Sequence, residues 1–490
     1  MDSGLKIGWA AAALALAAGC ATGPDFKAPA APASDSWDAT VGKTAEASGP
    51  GGAAQKFAAD MAVPAQWWNL FGSPTLDASV REALENSPTL AQATARLRQA
   101  QEEFNGAAGA VRYPAVDADL SLARKKVNPE AMGVTGVPTP DPFSLFNASV
   151  SVSYAFDLFG KNRRALEGLK AQVDRRECEL AGARQALAAN VALAAIRRAE
   201  LDKRIAALRD VVAVRSEQRD IAQARYAAGG ISALDLERQG LLLEQARAPL
   251  PALEHQRDRL GRQLATYLGR EPGEPSPEPL DLDALCLPEE LPASLPSAVA
   301  RQRPDIRAAE AVWHQACANV GVATANLYPQ LTIAANLGSQ ETDVGNMLSG
   351  ANVWSIGADL MQPIFRGGEL RAKKRAAVAA YDEAAAAYRE TVLRGLQEVA
   401  DVLGALEADA RALEACAAAA GHARSGLDVA TRQEEAGGIG RTALLEEKAR
   451  WLSAENDHIQ TQAARHADTV ALFLALGGGW ENRETPAPKK

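Results

Sequence analysis

Hydrophobic and polar residues alternate almost strictly in residues 146–156 of the chain. The even positions of this segment are Phe146, Ala148, Val150, Val152, Tyr154 and Phe156, and the odd positions are Asn147, Ser149, Ser151, Ser153 and Ala155. Because successive side chains of a strand point to opposite faces, the segment predicts a β-strand with one apolar and one polar face. About eleven residues is the length of a membrane-barrel strand, but a half-buried sheet in a soluble domain shows the same pattern. The alternation alone leaves both environments open.

Three further segments alternate in the same way, at residues 116–122, 331–337 and 354–360. Four strands cannot close a membrane barrel, because the smallest barrels have about eight strands and open strand edges are not tolerated in lipid. If the strands span a membrane, several copies of the chain must close the wall together. The residues then expected to face lipid are Phe146, Val150, Val152 and Tyr154, and those expected to line a water-filled lumen are Ser149, Ser151 and Ser153.

Two long stretches without proline, at residues 143–248 and 364–485, predict long helices. Within them Ala and Leu recur at three- and four-residue spacing, which is typical of an amphipathic or coiled-coil face. A helix of about 65 residues would be about 100 Å long at 1.5 Å per residue, which suits a structure that crosses a periplasm better than a compact globule. Shorter helices are predicted at about residues 76–110 and 297–326.

The sequence contains two similar halves on either side of a proline-rich stretch at residues 270–296. Corresponding pairs, at offsets of 215, 206, 208 and 208 residues, are Tyr113-Pro114 with Tyr328-Pro329, Leu158-Phe159 with Ile364-Phe365, Gly229-Gly230 with Gly437-Gly438, and Leu268-Gly269 with Leu476-Gly477. Because the pairs keep the same order in both halves, they indicate a duplicated unit of about two hundred residues.

The first twenty residues predict an export signal that ends at a cysteine. Lys6 precedes a short apolar run, and small residues lead into Cys20. A run of about a dozen residues is too short to span a bilayer. The segment resembles the lipobox of bacterial lipoproteins, in which the cysteine is acylated, although Leu16 lies four rather than three positions before it. Ala21 after the cysteine favours sorting to the outer membrane. The alternative is an ordinary secretory signal with an incidental cysteine.

Composition and motifs argue against several function classes. Hydrophobic residues make up 47% of the chain but aromatic residues only 5%, so the apolar content is mostly Ala and Leu, as in long packed helices. The net charge of -9 disfavours a nucleic-acid partner. The sequence has no His-Glu-x-x-His, Gly-x-Ser-x-Gly or Gly-x-x-x-x-Gly-Lys-Ser/Thr motif, and the glycines near Gly437 follow a helix, which indicates a turn and not a dinucleotide site. The cysteines expected to be small buried residues, and not metal or disulfide partners, are Cys178, Cys286, Cys317 and Cys416.

Four stretches, at residues 67–76, 354–368, 396–401 and 474–480, resemble motifs of the outer-membrane efflux protein family, the TolC-like channel-tunnels, and most closely its NodT/OprM-type lipoprotein branch. The resemblance implies a mainly α fold with a transmembrane β-barrel: a homotrimeric channel-tunnel with four strands per chain and long periplasmic coiled-coil helices. It implies an exit duct that works with a periplasmic adaptor and an inner-membrane pump of the resistance-nodulation-division type, passes small molecules passively, and needs no catalysis and no cofactor beyond its N-terminal lipid. The alternatives are a type I secretion duct for polypeptides and an adaptor lipoprotein.

On this interpretation the chain divides into six segments. They are a signal peptide (1–19), a lipidated tether with the start of an equatorial region (20–73), a first repeat (74–269), a linker (270–296), a second repeat (297–479) and a tail (480–490).

The resemblance also assigns roles to residues at the periplasmic ends of the long helices. The residues expected at the adaptor-docking tips are Arg225, Gly229, Gly230, Gly437 and Gly438. The second tip differs from the first, because it has Gln433 and Glu434 at the positions where the first tip has its Arg-Tyr pair. Glu446 corresponds to an aspartate that narrows the periplasmic aperture in relatives, while Ala449 stands where relatives often carry arginine. We expect Glu446 to pair with Arg238 or Arg441, with Asp235 nearby. The alternative is that these are solvated surface residues.

Overall fold

The computed structural model describes residues 21–30, 42–58, 61–129, 133, 135–136, 138–271, 273–274, 277–293, 296–346 and 350–480. The helices are α1 (Pro74–Asn86), α2 (Pro88–Arg112), α3 (Lys161–Ala227), α4 (Ala233–Arg247), α5 (Leu250–Tyr267), α6 (Pro296–Gln302), α7 (Pro304–Ala325), α8 (Glu369–Glu435) and α9 (Arg441–Ala475), with a 3-10 helix at Trp67–Phe71 and another at Val344–Asn346. The strands are β1 (Lys56–Ala58), β2 (Ala115–Lys125), β3 (Phe143–Phe156), β4 (Glu290–Pro292), β5 (Gln330–Glu341) and β6 (Val353–Met361). The protein is therefore mostly helical, with little sheet.

The larger sheet contains the four predicted alternating strands in the order β2-β3-β5-β6, and all three pairings are antiparallel. Two hairpins, β2-β3 and β5-β6, are joined through the β3-β5 pairing. Strands β2 and β6 are its two edges. A small parallel pair, β1-β4, forms a separate sheet.

The long helices α3 and α8 each contain 67 residues, as the absence of proline predicted. The shorter predicted helices are each broken in two. Proline begins α2 at Pro88 and α7 at Pro304, because its ring fixes φ and it has no N–H to donate, so it starts a helix well but cannot continue one. No helix among the described residues is long and apolar enough to cross a membrane.

The chain forms two compact units. The first contains the four-stranded sheet and consists of Leu97–Arg176, Ala309–Tyr388 and the described part of Met1–Ala28. The second consists of the described parts of Pro29–Arg96, Glu177–Ala308 and Arg389–Lys490.

Aromatic residues are rare in this chain, and the buried core of the second unit contains four of them, Trp67, Trp68, Phe71 and Phe473. Trp67 and Phe71 of the first 3-10 helix are fully buried, and the Trp67 ring stacks on Phe473 of α9 at 5.4 Å between centroids. Buried Leu and Ala side chains from α3 and α8 pack around these rings. The tryptophan-rich segment before α1 therefore provides the bulk that alanine-rich helices lack.

The expectation that the cysteines are buried holds for Cys178 and Cys317 and is wrong for Cys286, which is exposed; Cys416 is half-buried. Cys286 lies in the irregular segment before β4, and its backbone N–H donates to the Phe71 carbonyl at 3.0 Å. Among the described residues, no group of three or more His, Cys, Asp or Glu side chains could hold a metal ion.

Candidate functional site: sheet faces and helix tips

The register of the sheet collects the apolar positions of all four strands on one face. Val150 of β3 lies opposite Ala118 of β2 and Leu337 of β5, and Leu337 lies opposite Trp354 of β6. Large side chains on this face are open to the surroundings: Leu120 is 71% exposed and Trp354 is 75% exposed. A half-buried sheet of a soluble domain would cover such a face, so the exposure argues against that alternative.

The opposite face of the sheet is polar across its width. Ser151 lies opposite Asp117 on one side and Asn336 on the other, and Asn336 lies opposite Ser355. Side-chain hydrogen bonds run across the strands: Asn147 Nδ2 donates to Asp119 Oδ1 at 3.0 Å, and Gln340 Nε2 donates to Asn147 Oδ1 at 3.4 Å. The two faces therefore suit two different solvents, one apolar and one aqueous.

Glycines end both long helices with the same backbone geometry. After α3, the Gly230 N–H donates to the Arg225 carbonyl at 2.7 Å and the Gly229 N–H donates to the Tyr226 carbonyl at 2.9 Å, with Gly229 at φ 71°. After α8, Gly438 donates to Gln433 at 2.7 Å and Gly437 to Glu434 at 2.9 Å, with Gly437 at φ 76°. This is the Schellman arrangement, which needs a left-handed residue but no particular side chain before it. The second turn therefore has the same backbone geometry as the first, although Gln433 and Glu434 stand in place of Arg225 and Tyr226.

Glu446 lies on α9 one turn after its start and pairs with α3. Arg215 Nη1 donates to Glu446 Oε2 at 2.9 Å, and Gln218 Nε2 donates to the same oxygen at 3.3 Å. Burial acts to raise the pKa of Glu446, but the hydrogen bond and charge of Arg215 outweigh it, so the pKa lies below its usual range. The carboxylate is therefore ionised at neutral pH.

The pairing expected for Glu446 is not formed within the chain. Arg441 instead binds Glu217 of α3, with Nε donating to Oε1 at 2.7 Å, and this hydrogen bond lowers the pKa of Glu217. Arg238 lies on α4, with its guanidinium 3.7 Å from the Asp235 carboxylate. Asp235 forms the capping box of that helix with Ser232, which is the N-cap residue. Arg441 and Glu446 are five residues apart on one helix, which places them about 140° apart around its axis, so their side chains point away from each other.

A hydrophobic contact sets the register that brings Arg215 to Glu446. Val214 of α3 packs in a buried cluster with Leu445, Ala449 and Leu452 of α9. The residues next to Val214 and Leu445, Arg215 and Glu446, are thereby placed side by side at the edge of this cluster. Ala449 is buried in the cluster, where a long charged side chain would not fit.

A sequence profile of the outer membrane efflux protein family matches residues 79–270 and 295–478, which is most of the chain. The chain belongs to the outer membrane efflux protein family. Two similar family members come from Pseudomonas aeruginosa. The pyoverdine export outer membrane protein OpmQ is 32% identical over 85% of this chain and 88% of its own length, and the outer membrane protein OprJ is 28% identical over 94% and 93%.

Solved structures of outer-membrane channels agree with this membership. The channel OprN superimposes with a TM-score of 0.81 at 27% identity, over 94% of this chain and all of that one. The open state of the Neisseria gonorrhoeae channel MtrE gives 0.79 at 25% identity, over 94% and 99%. This chain is thus an outer-membrane protein of a transport family and shares the TolC-like channel fold.

Two stretches that carry the resemblance to this outer membrane efflux family, 396–401 and 474–480, meet at one buried arginine. The Arg303 guanidinium donates to Glu398 of the first stretch at 2.6 Å and to the Ala475 carbonyl of the second at 2.9 Å, and it also binds Asp305. Trp480 Nε1 donates to the Gln302 carbonyl beside it at 2.6 Å. Sequence reasoning missed Arg303 and Arg215 as partners. An arginine directly before a helix-starting proline, with Asp305 two residues on, was the available signal for Arg303.

Proposed function

We propose that this protein is the outer-membrane exit duct of a tripartite efflux pump of the resistance-nodulation-division type. Three copies close one barrel of twelve strands, and the long helices lie in the periplasm. The duct passes small molecules passively, without catalysis or cofactor. The observation that carries the proposal is the sheet with one exposed apolar face and one polar face, since a membrane barrel requires lipid-facing and water-facing sides on the same strands.

The open edges of the sheet support closure by several copies. Strands β2 and β6 each pair on one side only, so each has a row of free backbone N–H and C=O groups. Such groups cost several kcal/mol each when they lie unpaired in hydrocarbon. Four strands fall well short of the roughly eight that the smallest barrels need, whereas three copies contribute twelve.

The relatives favour small molecules over polypeptides as cargo. Their names state pyoverdine export, antibiotic efflux and toluene efflux, and all are outer membrane proteins. An adaptor is disfavoured by the fold, since a two-stranded hairpin followed by one long helix occurs twice along the chain. The same order of elements supports the proposed repeats at 74–269 and 297–479.

The proposal is tested by purifying the tagged protein from membranes in detergent. Native mass spectrometry is expected to give a trimer, and planar bilayers are expected to show ion-conducting pores. A monomer without conductance would contradict the duct. Identification of an adaptor and a pump of the stated type after mild cross-linking in cells would support the partner assignment, and an associated ATP-driven secretion exporter would favour the polypeptide alternative.

Cys20 lies outside the described residues, and we propose that it carries the lipid. The residues that follow it are held against the unit that contains the sheet: Thr22 Oγ1 donates to the Phe159 carbonyl at 3.0 Å, and Arg164 Nη2 donates to Asp25 at 2.6 Å. Phe159 follows the end of β3 by three residues. Acyl chains on Cys20 would therefore start close to the end of a strand, where a membrane surface is expected.

Mass spectrometry of the N-terminal peptide is expected to show an acylated Cys20 as the first residue of the mature protein. Each buried methylene contributes about 0.8 kcal/mol, so several chains hold the N-terminus firmly. The Cys20→Ala variant should keep its signal segment uncleaved and carry no lipid. An unmodified Cys20 in the mature wild-type protein would rule the anchor out.

We also propose that the two glycine turns meet the adaptor and that Glu446 and Arg215 narrow the periplasmic aperture. The turns are exposed, and each places its glycines at the end of a helix pair. In a trimer, three copies of the Glu446–Arg215 pair would surround one axis. Breaking the pairs would loosen the contact of α9 with α3 and widen the opening.

The Glu446→Ala variant is expected to conduct more than wild type in planar bilayers at pH 7. Because the Glu446 pKa is lowered in the folded protein, its pair with Arg215 is intact at neutral pH and is lost only as the pH falls through that lowered pKa. Acidification should therefore raise wild-type conductance and leave the variant unchanged. Glu244→Ala, which removes a local surface pair with Arg247, is the control. Equal conductance of Glu446→Ala and wild type at pH 7 would exclude this gate.

A further inference from the structure

The two hairpins of the sheet are joined inside the chain by an aromatic contact at the end of the strands. Phe159, just after β3, stacks on Tyr328, just before β5, with 4.8 Å between ring centroids and 17° between planes. The contact lies beside the β3-β5 pairing, in which Phe156 is opposite Leu331 and Val150 is opposite Leu337. The end of one repeat's hairpin is thus joined to the start of the next repeat's hairpin.

The same two aromatic positions occur again at the free edges of the sheet. Phe365 corresponds to Phe159, and Tyr113 corresponds to Tyr328, at the offsets of 206 and 215 residues that relate the two halves. Phe365 is 87% exposed and Tyr113 is 62% exposed. In the described part of the chain neither ring contacts another aromatic ring, and Tyr113 has only the Arg112 guanidinium over one face. One edge therefore presents the phenylalanine and the other presents the tyrosine.

We infer that β6 of one copy of this chain pairs with β2 of the next in the register already seen between β3 and β5, and that Phe365 of one copy stacks on Tyr113 of its neighbour. The inference rests on the proposed trimeric duct and specifies its seam. The occupant of each free edge is a second copy of the chain, because the matching edge is present on the same molecule and a ring of copies leaves no edge open.

The register follows from the offsets. In the β3-β5 pairing the numbers of opposite residues add to 487, as for Phe156 and Leu331. Moving β3 to β6 adds 206 and moving β5 to β2 subtracts 215, so opposite residues across the seam add to 478. Ala358 then lies opposite Leu120, Ile356 opposite Leu122, and Gly357 opposite Ser121.

The polarity of opposite residues, which was not used to derive this register, agrees with it. Apolar positions of β6 meet apolar positions of β2, and the polar face continues across the seam without a break. A shift of one residue would place every apolar side chain opposite a polar one, because it moves all side chains of one strand to the other face of the sheet. Shifts of two residues keep the faces but move Phe365 away from Tyr113 by about 7 Å, at 3.3–3.4 Å per residue.

Disulfide cross-linking between copies tests the register directly. In a background with alanine at Cys178, Cys286, Cys317 and Cys416 and with Cys20 retained, two double variants probe the two faces: Leu120→Cys with Ala358→Cys, and Ser121→Cys with Gly357→Cys. Directly opposite Cβ atoms lie about 4.5–5.5 Å apart, within reach of a disulfide, whereas diagonal pairs lie about 7–8 Å apart. Mild oxidation is expected to convert most of at least one double variant into covalent trimers on denaturing gels.

The displaced pair Leu122→Cys with Ala358→Cys is the matched control and is expected to cross-link at least tenfold more slowly. Each single-cysteine variant must remain trimeric before oxidation, which separates folding from register. Faster cross-linking of the displaced pair would contradict the proposed seam but not the trimeric duct. The same holds if the trimers form and neither in-register pair cross-links. Absence of any trimer in the unmodified protein would remove the duct and the seam together.

The aromatic contact has its own test. Tyr113→Ala and Phe365→Ala are each expected to lower the temperature at which trimers dissociate in detergent. The double variant should dissociate at the same temperature as the less stable single variant, since each substitution removes the same contact. Phe365→Tyr keeps a ring and should restore the wild-type temperature. Additive losses in the double variant would show that the two rings do not meet.

Discussion

Arginine in place of Val150 is expected to prevent assembly of the barrel in lipid, whereas arginine in place of the adjacent Ser151 is expected to be tolerated. Val150 lies on the exposed apolar face, opposite Ala118 and Leu337. A lipid-facing arginine near the bilayer midplane costs about 2–4 kcal/mol per copy, and three copies would be affected at once. Ser151 lies opposite Asp117 and Asn336 on the polar face, where a guanidinium keeps its water.

The measurement is the fraction of folded trimer after reconstitution into lipid vesicles, read from heat-modifiable migration on gels and from urea titration. The two variants place the same side chain one residue apart on the same strand, so they differ only in the face that receives it. Val150→Lys should behave like Val150→Arg. Equal folded fractions for Val150→Arg and Ser151→Arg would remove the assignment of the apolar face to lipid.

Alanine in place of Trp67 is expected to destabilise the second unit by about 3–5 kcal/mol. Trp67 is fully buried, stacks on Phe473, lies edge-on to Trp68 and donates from Nε1 to Gln185 at 3.4 Å. The surrounding side chains are mostly Leu and Ala from rigid helices, which cannot collapse into the space that the indole leaves.

Denaturant unfolding of the detergent-solubilised protein, followed by the loss of helical signal, checks this value. Trp67→Phe, which keeps a ring that can face Phe473, should lose clearly less than Trp67→Ala. If both variants unfold with the midpoint of the wild-type protein, the tryptophan segment does not form the core of this unit. Conductance is expected to fall only as far as the folded fraction falls, because no step of transport is assigned to Trp67.

Local patterns in the sequence determined the elements of this protein. The alternation in residues 146–156 predicted β3 because a two-residue period depends only on backbone pleating. The proline-free stretches predicted α3 and α8 because a single proline is enough to kink or break the interior of a helix. Gly229 and Gly437 predicted the two helix ends for the same reason, since the left-handed conformation is a property of one residue. The order of corresponding pairs in the two halves needed no structure either.

Only the tertiary structure decided which residues meet. Glu446 and its partner Arg215 are 231 residues apart, and their contact depends on how the cluster around Val214 and Leu445 sets the relative phase of two helices. Arg303 and Glu398 likewise meet through the packing of separate helices. The pairing of β3 with β5 joins the two hairpins into one sheet. It thereby shows which aromatic contact is made inside the chain and which two edges stay open. Such contacts depend on the sum of many weak packing terms over the whole fold, and no local pattern of residues contains that sum.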